Sequence, residues 1–395
     1  MARPSRLAGR RVGRTLSLML ACIAAAAAQV ACSAPTLAEP AAVASEPGLT
    51  IQRADDGRFH NPPGSPVTGR SWRDGAALWW WFAFGAAKAE LQPAMPPDHA
   101  LPAAQAQAQL AAHRDDESTL TWLGHAAFLI RLAGRTILVD PYLGEYASPV
   151  DGVGPRRYAG PGLAVDQLPA IDAIVISHNH YDHLDLRTLQ RLPNKERIKV
   201  IVPRGAGALL RDSGYIDVTE VTWGDVLDLG NALKVRSVPA VHFSARGLFD
   251  RDESLWSGYV FEAPQQRLYF AGDTAYHPTL FRHLREAIGP VDTALVPIGA
   301  YEPRRMMTPV HVDPEEAVRL AHDLGARTLV GMHWGTIVLS REPPLEPPRR
   351  FRAAGRALGY AEPALWVMAI GETRVLPSTS GESTQRPAAP AMPGS

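Results

Sequence analysis

The stretch Ser177-His178-Asn179-His180-Tyr181-Asp182-His183-Leu184-Asp185 carries three histidines and an aspartate within six residues, directly after the apolar run Ala173-Ile174-Val175-Ile176. That run is too short for a helix and rich in β-branched side chains, so it predicts a buried strand. The polar cluster then falls in the loop at the strand's carboxyl end, where sites in α/β sheets form. Imidazole and carboxylate donors together suit zinc, and an adjacent Asp-His pair can serve two different ions.

One loop supplies too few donors for two metals, so further donors are expected where other strands end in His or Asp. Val235 to Val241 leads into His242, Leu268 to Gly272 into Asp273, and Thr328 to Met332 into His333. Each follows an apolar strand, so all three are expected on the rim that holds His178. Sorted by chemistry, His178, His180 and His242 hold one zinc, Asp182, His183 and His333 hold the second, and Asp273 bridges them. Such ions sit about 3.5–4 Å apart and lower the pKa of a bridging water toward about 7. Iron or manganese in place of zinc stays open. His60, His99, His113, His277, His283 and His322 lack a strand-end setting and read as surface or supporting residues.

Around this centre the chain alternates short strands and helices. Strands are expected at 119–123, 127–131, 136–139, 199–202, 233–236, 259–261, 268–270, 293–296 and 328–331, with Ala133-Gly134 as a hairpin turn. Helices are expected from Asp185 to Leu192, from Thr279 to Ile288, and from Pro314 to Leu324 with Asp313 as N-cap. The 395 residues are 46% hydrophobic with zero formal net charge, and no basic block follows the N-terminus, which argues against nucleic acid as a partner. Both cysteines, Cys22 and Cys32, lie in the first 32 residues, so the body of the chain has neither a disulfide nor a thiolate metal ligand.

The N-terminus reads as a bacterial-type export signal over 1–38, directing the protein to the periplasm. Arg3 to Arg14 form a basic region and Leu16 to Ala28 an apolar one. Cleavage before Cys32 would leave a lipid anchor there; cleavage after Ala38 would release the protein. Residues 39–115 are expected to be a linker and N-terminal extension. They include Phe59-His60-Asn61-Pro62-Pro63, a tryptophan cluster at 79–81 read either as packing or as a membrane-interface surface, and a Pro/Ala/Gln connector over 93–112. The hydrolase domain is expected over 116–377, and a disordered tail over 378–395.

His178-x-His180-x-Asp182-His183 with His242, Asp273 and His333 resembles the metal signature of the metallo-β-lactamase superfamily. Further segments narrow the resemblance to the phospholipase D branch that hydrolyses N-acyl-phosphatidylethanolamine. They are Thr121-Trp-Leu-Gly-His125, Gly154-Pro-Arg-Arg157, Pro297-Ile-Gly-Ala-Tyr-Glu-Pro303, His311-Val-Asp-Pro-Glu-Glu-Ala317 and His333-Trp-Gly-Thr336. The resemblance implies an α/β fold, a four-layer αβ/βα sandwich with a dinuclear site at one edge. It also implies cleavage of a phospholipid or related phosphodiester at a membrane surface by a metal-bridging hydroxide.

Within that reading Asp182, Asp273 and His311 are the expected catalytic residues. Asp140 is expected to orient the ligand loops, and His125 either supports a ligand or serves the core. Tyr301, Asp151 and Gly152 are the expected substrate contacts, and Arg304 and Arg305 read either as phosphate contacts or as a solvated surface. The Asp151-Gly152 pair offers no aromatic or amide group to a headgroup, which leaves a soluble ester, lactone or cyclic phosphodiester as a second substrate class. A non-catalytic zinc-containing binding protein is the third reading. The sequence leaves the oligomeric state open, a dimer included.

Overall fold

Short, mostly apolar strands build two sheets. The computed structural model describes residues 54–67, 95–247 and 249–377; the expected export signal, the tryptophan cluster and the tail lie outside them. In chain order the elements are α1 (Ala103–Ala112), β1 (Thr119–Gly124), β2 (Ala127–Leu132), β3 (Arg135–Val139), β4 (Ala173–Val175), α2 (Leu186–Arg191), β5 (Lys199–Pro203), α3 (Gly207–Asp212), β6 (Val218–Val221), β7 (Val226–Asp228) and β8 (Lys234–Val238). There follow β9 (Gly258–Ala263), β10 (Gln266–Phe270), α4 (Leu280–Ile288), β11 (Thr293–Pro297), α5 (Arg304–Met307), α6 (Pro314–Asp323), β12 (Thr328–Met332), α7 (Glu346–Ala357), β13 (Leu365–Trp366) and β14 (Thr373–Val375).

The first sheet has the order β14-β1-β2-β3-β4-β5-β6 and the second β13-β12-β11-β10-β9-β8-β7. Each is antiparallel on one side and parallel on the other. The inner strands of the first sheet are buried on both faces, and their residues sort by the period of two. Phe128, Ile130, Ile137, Val139, Ala173, Val175 and Ile201 point toward the second sheet. Leu129, Leu138, Ile174, Val200 and Val202 point toward the side that α1 and α3 cover with Ala106, Leu110 and Leu210. On the far side, α4, α6 and α7 cover the second sheet with Phe281, Leu284, Val318 and Phe351. Helix, sheet, sheet and helix make the four layers expected from the sequence. Phe128 meets Phe270 edge-on across the central layer at 6.4 Å, and truncating either to Ala would cost about 3–5 kcal/mol.

Local signals hold where the chemistry is explicit. Ala133 and Gly134 both take positive φ, 50° and 68°, as a tight two-residue turn between twisted strands requires. Asp313 accepts from the Glu316 amide at 2.9 Å while the Glu316 carboxylate accepts from the Asp313 amide at 3.0 Å, with Pro314 in the first turn. One reading is corrected: the stretch taken as a connector over 93–112 contains α1, whose Ala106 and Leu110, one turn apart, enter the core. Phe59 is also buried, with Trp223 and Trp256.

Candidate metal centre

The carboxyl ends of β3, β4, β8, β10 and β12 open on one rim, and each is followed within a few residues by a polar group aimed at a common centre. Asp140 follows β3, the His178 loop follows β4, His242 lies beyond β8, Asp273 beyond β10 and His333 immediately after β12. Gly272 lets Asp273 reach the His178 loop. It has φ of 58°, and a Cβ there would come within 2.7 Å of the Ser177 Cβ.

Two groups of donors meet. His178 Nε2 lies 2.8 Å from His180 Nδ1, and His242 Nε2 lies 3.3 Å from the same atom. In the second group, His183 Nε2 is 3.5 Å and His333 Nε2 3.7 Å from Asp182 Oδ2. Asp273 stands between the groups. Its Oδ2 is 3.3 Å from His183, 3.7 Å from His242 and 3.9 Å from His178, and its Oδ1 is 3.1 Å from His333. These spacings are close to the roughly 3.3 Å edge of a tetrahedron with about 2.0–2.1 Å metal–nitrogen bonds. His183 Nε2, His333 Nε2 and Asp273 Oδ1 are buried with no hydrogen-bond partner. Orphaned polar atoms of this kind, converging on one point, fit a divalent cation.

The remote ring atoms are held from behind, as metal-ligating histidines require. His183 Nδ1 meets Asp140 Oδ2 at 2.7 Å, His178 Nδ1 meets Ser177 Oγ at 2.9 Å, and His242 Nδ1 meets the Val310 carbonyl at 2.9 Å. Asp140 also accepts from the Ser177 amide at 2.7 Å and hydroxyl at 2.5 Å. His125 Nε2 lies 2.9 Å from Asp182 Oδ2, and the His125 carbonyl accepts from the His333 amide at 2.9 Å.

Electrostatics divides the imidazoles into two sets. Burial pushes His180 down to about 3 and His242 to about 4, so both are neutral donors at pH 7. At His333 burial opposes protonation, but Asp273 and Asp182 outweigh it and push the ring up to about 9. His183 is raised as well: burial is again outweighed, by Asp273, Asp182 and Asp140. Asp182 and Asp273 are held well below the usual carboxylate range, because the facing histidines overcome a large burial penalty.

His180, Asp182, His242, Asp273 and His333 floor a cavity of about 240 Å³ whose other walls are mostly apolar, among them Phe243, Met307, Val310 and Leu339. His311 lines it too, buried, with Nδ1 4.0 Å from Asp273 Oδ2 and lacking a partner. Three expected substrate residues are not brought there. Tyr301 is fully buried, its hydroxyl donating to Glu346 at 2.8 Å and its ring under Arg350. Asp151 is exposed and paired with Arg187 at 2.9 Å, and Gly152 sits beside it with open space around its Cα. Their loop reaches the cavity through its two ends, Ala147 and Pro155. Arg304 is engaged by Glu316 at 2.7 Å and the His311 carbonyl, and Arg305 is exposed.

Fold and donor set together define a domain of the metallo-β-lactamase type with a candidate metal centre. The chain belongs to the β-lactamase superfamily: it matches the family described as "Beta-lactamase superfamily domain" over residues 135–334, half of its length, and that span contains all seven donors. It is 38% identical over 233 residues to the N-acyl-phosphatidylethanolamine-hydrolyzing phospholipase D 1 of Caenorhabditis elegans, covering 57% of this chain and 65% of that one. It is 42% identical over 250 residues to an uncharacterized protein of Mycobacterium tuberculosis, covering 61% and 66%. The chain therefore spans just under two thirds of these relatives' own length. Among solved structures it superposes on an isothiocyanate hydrolase from Delia radicum gut bacteria with a TM-score of 0.53 at 22% identity, over 66% of this chain and 99% of that one, a likeness of fold.

One contributor escaped the sequence. Asn61, in the segment noted only as a run before two prolines, reaches His242; nothing local marks it, because the contact spans 181 residues.

Proposed function

We propose that the protein is a zinc-dependent phosphodiesterase that hydrolyses N-acyl-phosphatidylethanolamine-like phospholipids with phospholipase D regiochemistry, releasing phosphatidic acid and an N-acylethanolamine. The observation that carries this reading is the 38% identity to the worm phospholipase over 233 residues. The apolar walls around Met307, Val310 and Leu339 support a substrate with a hydrocarbon portion over a wholly polar one. Nitrogen and carboxylate donors without thiolate suit zinc. No helix among the described residues is long and apolar enough to cross a membrane. The basic and apolar N-terminal segment supports export.

His178, His180 and His242 would hold one ion and Asp182, His183 and His333 the other, with Asp273 shared. Such a pair supplies positive charge to a developing oxyanion and brings the pKa of water near neutrality. The chain's own part is to fix these donors from behind through Asp140, Ser177 and His125, and to line the approach with apolar groups. Burial holds His311 well below the ordinary histidine value, against the pull of Asp273. It is therefore neutral at pH 7 and suited to accept a hydrogen bond from a group in the cavity, rather than to protonate the leaving group.

The test is a substrate panel on metal-loaded protein, with N-acyl-phosphatidylethanolamine vesicles on one arm and soluble esters, lactones and cyclic phosphodiesters on the other. Turnover confined to the lipid arm supports the proposal. Turnover confined to the soluble arm replaces it with the second substrate class.

A further inference from the structure

Beyond β8 the backbone leaves the sheet, and the amide and carbonyl of His242 have no strand to pair with. Both are taken up by one side chain. Asn61 Nδ2 donates to the His242 carbonyl at 2.8 Å, and Asn61 Oδ1 accepts from the His242 amide at 2.9 Å. A carboxamide thus imitates the edge of a neighbouring strand, satisfying both groups with one planar unit. The neighbouring Val241 is fixed separately, its amide donating to Thr274 Oγ1 at 2.9 Å and its carbonyl accepting from Ala275. The ring is fixed by the Val310 carbonyl.

Asn61 is itself anchored. Trp256 Nε1 donates to its Oδ1 at 2.9 Å, and the adjacent Phe59 is 1% exposed against Trp223, Trp256, Ala240 and Leu255. The Phe59 amide donates to the Asp252 carbonyl, and the Pro63 carbonyl meets His277 Nε2 at 3.0 Å. The segment around Asn61 is therefore docked on both sides of the carboxamide. It also lies far ahead of the superfamily match, which begins at residue 135.

We propose that Asn61 is a positioning residue for the metal centre: the segment ahead of the superfamily core completes the site by fixing the backbone of His242. The inference rests on the metal-centre reading above and adds to it the part played by this segment. Orienting a ligand through its backbone has the same consequence as orienting it through its ring, and such partners change metal affinity by about 10–100-fold.

The experiment uses the full-length protein, stripped of metal and titrated with zinc against chelators of graded strength, with thermal melts of the metal-free forms alongside. Asn61→Ala removes both His242 contacts. Trp256→Phe removes a bond to Asn61 and one to the Ala240 carbonyl and leaves the His242 contacts in place, so it reports general loosening of the segment. The expected result is wild-type protein binding two equivalents. Asn61→Ala then weakens one of them, the ion of His178, His180 and His242, by about 10–100-fold, and Trp256→Phe leaves both intact. Should Asn61→Ala fail to accumulate, Asn61→Asp, which loses the donor to the His242 carbonyl, is read the same way and is expected to weaken the same ion. Asn61→Ala with both wild-type affinities, or Trp256→Phe with an equal loss at the same ion, overturns the proposal. Wild-type protein that binds no zinc overturns the metal-centre reading first, and the two failures are told apart by which protein shows them.

Discussion

Asp140 holds His183 from behind: its Oδ2 lies 2.7 Å from Nδ1 of the ring, and both side chains are fully buried. The aspartate adopts φ of 40°, a left-handed conformation uncommon for a residue other than glycine. Its second oxygen accepts from the Ser177 amide, so one carboxylate joins the end of β3 to the loop that carries four donors. The contact fixes the tautomer, leaving Nε2 of His183 directed at Asp182 and Asp273.

Replacing Asp140 by Asn should therefore act on the metal rather than on the fold alone. The amide cannot serve both Ser177 and His183 as acceptor. Zinc affinity is expected to fall by about 10–100-fold, measured by chelator competition, with hydrolysis recovering in part at saturating zinc.

Asp273 stands within 4.0 Å of His178, His183, His242, His311 and His333. Asp273→Asn removes the one carboxylate common to both donor groups. Hydrolysis should fall beyond the roughly 10–100-fold that a supporting partner costs, and zinc content should drop below two equivalents. Steady-state rates paired with metal analysis check both.

Metal binding should release protons. His333, raised to about 9, and His183, also raised, carry protons in the metal-free protein at pH 7, and ligation needs the neutral ring. Apparent zinc affinity should rise as pH increases from neutrality toward about 9. Calorimetry in buffers of different ionisation enthalpy should detect the released protons. In the metal-free fold the same shift has the opposite sign. The contribution of His333 to stability is fully present below its ordinary value of 6.5 and is lost as pH rises through about 9. Metal-free melts should therefore lose that increment over this window, and His333→Ala should abolish it.

Residues that the structure keeps out of the cavity should leave turnover alone. Tyr301→Phe forfeits a hydrogen bond to the Glu346 carboxylate, costing about 1–2 kcal/mol of stability with KM unchanged. Asp151→Ala loses only an exposed pair with Arg187, worth at most about 1 kcal/mol. Thermal melts and kinetics on one preparation separate these effects.

The apolar wall carries the lipid reading. Leu339→Glu and Met307→Glu should each raise KM for N-acyl-phosphatidylethanolamine vesicles by about 10-fold or more, through a charge placed on an apolar surface. A small soluble diester, if accepted at all, should be affected far less.

Legibility in the sequence followed the range of the interaction. The donor loop and the strand ends could be read because short β-branched runs end abruptly in His or Asp, and the chain carries each signal within a few residues. Helix α7 was hidden by Pro347 and Pro348, which look like breakers but occupy the first turn, where the missing amide has no helical partner to lose. Helix α1 was hidden by an Ala/Gln stretch whose apolar face is only Ala106 and Leu110. Tyr301 and Asp151 lie near site segments in sequence, but sequence position does not say which way a side chain points. Asn61 was illegible for the opposite reason, its partner being 181 residues away.

The most direct measurement is hydrolysis of N-acyl-phosphatidylethanolamine vesicles by zinc-loaded, full-length protein in ¹⁸O-labelled water, with products resolved by mass spectrometry. The expected result is phosphatidic acid carrying the label on phosphate, unlabelled N-acylethanolamine, and loss of both products with Asp273→Asn. Intact substrate with zinc-replete protein, or the same products from Asp273→Asn at the wild-type rate, would contradict it.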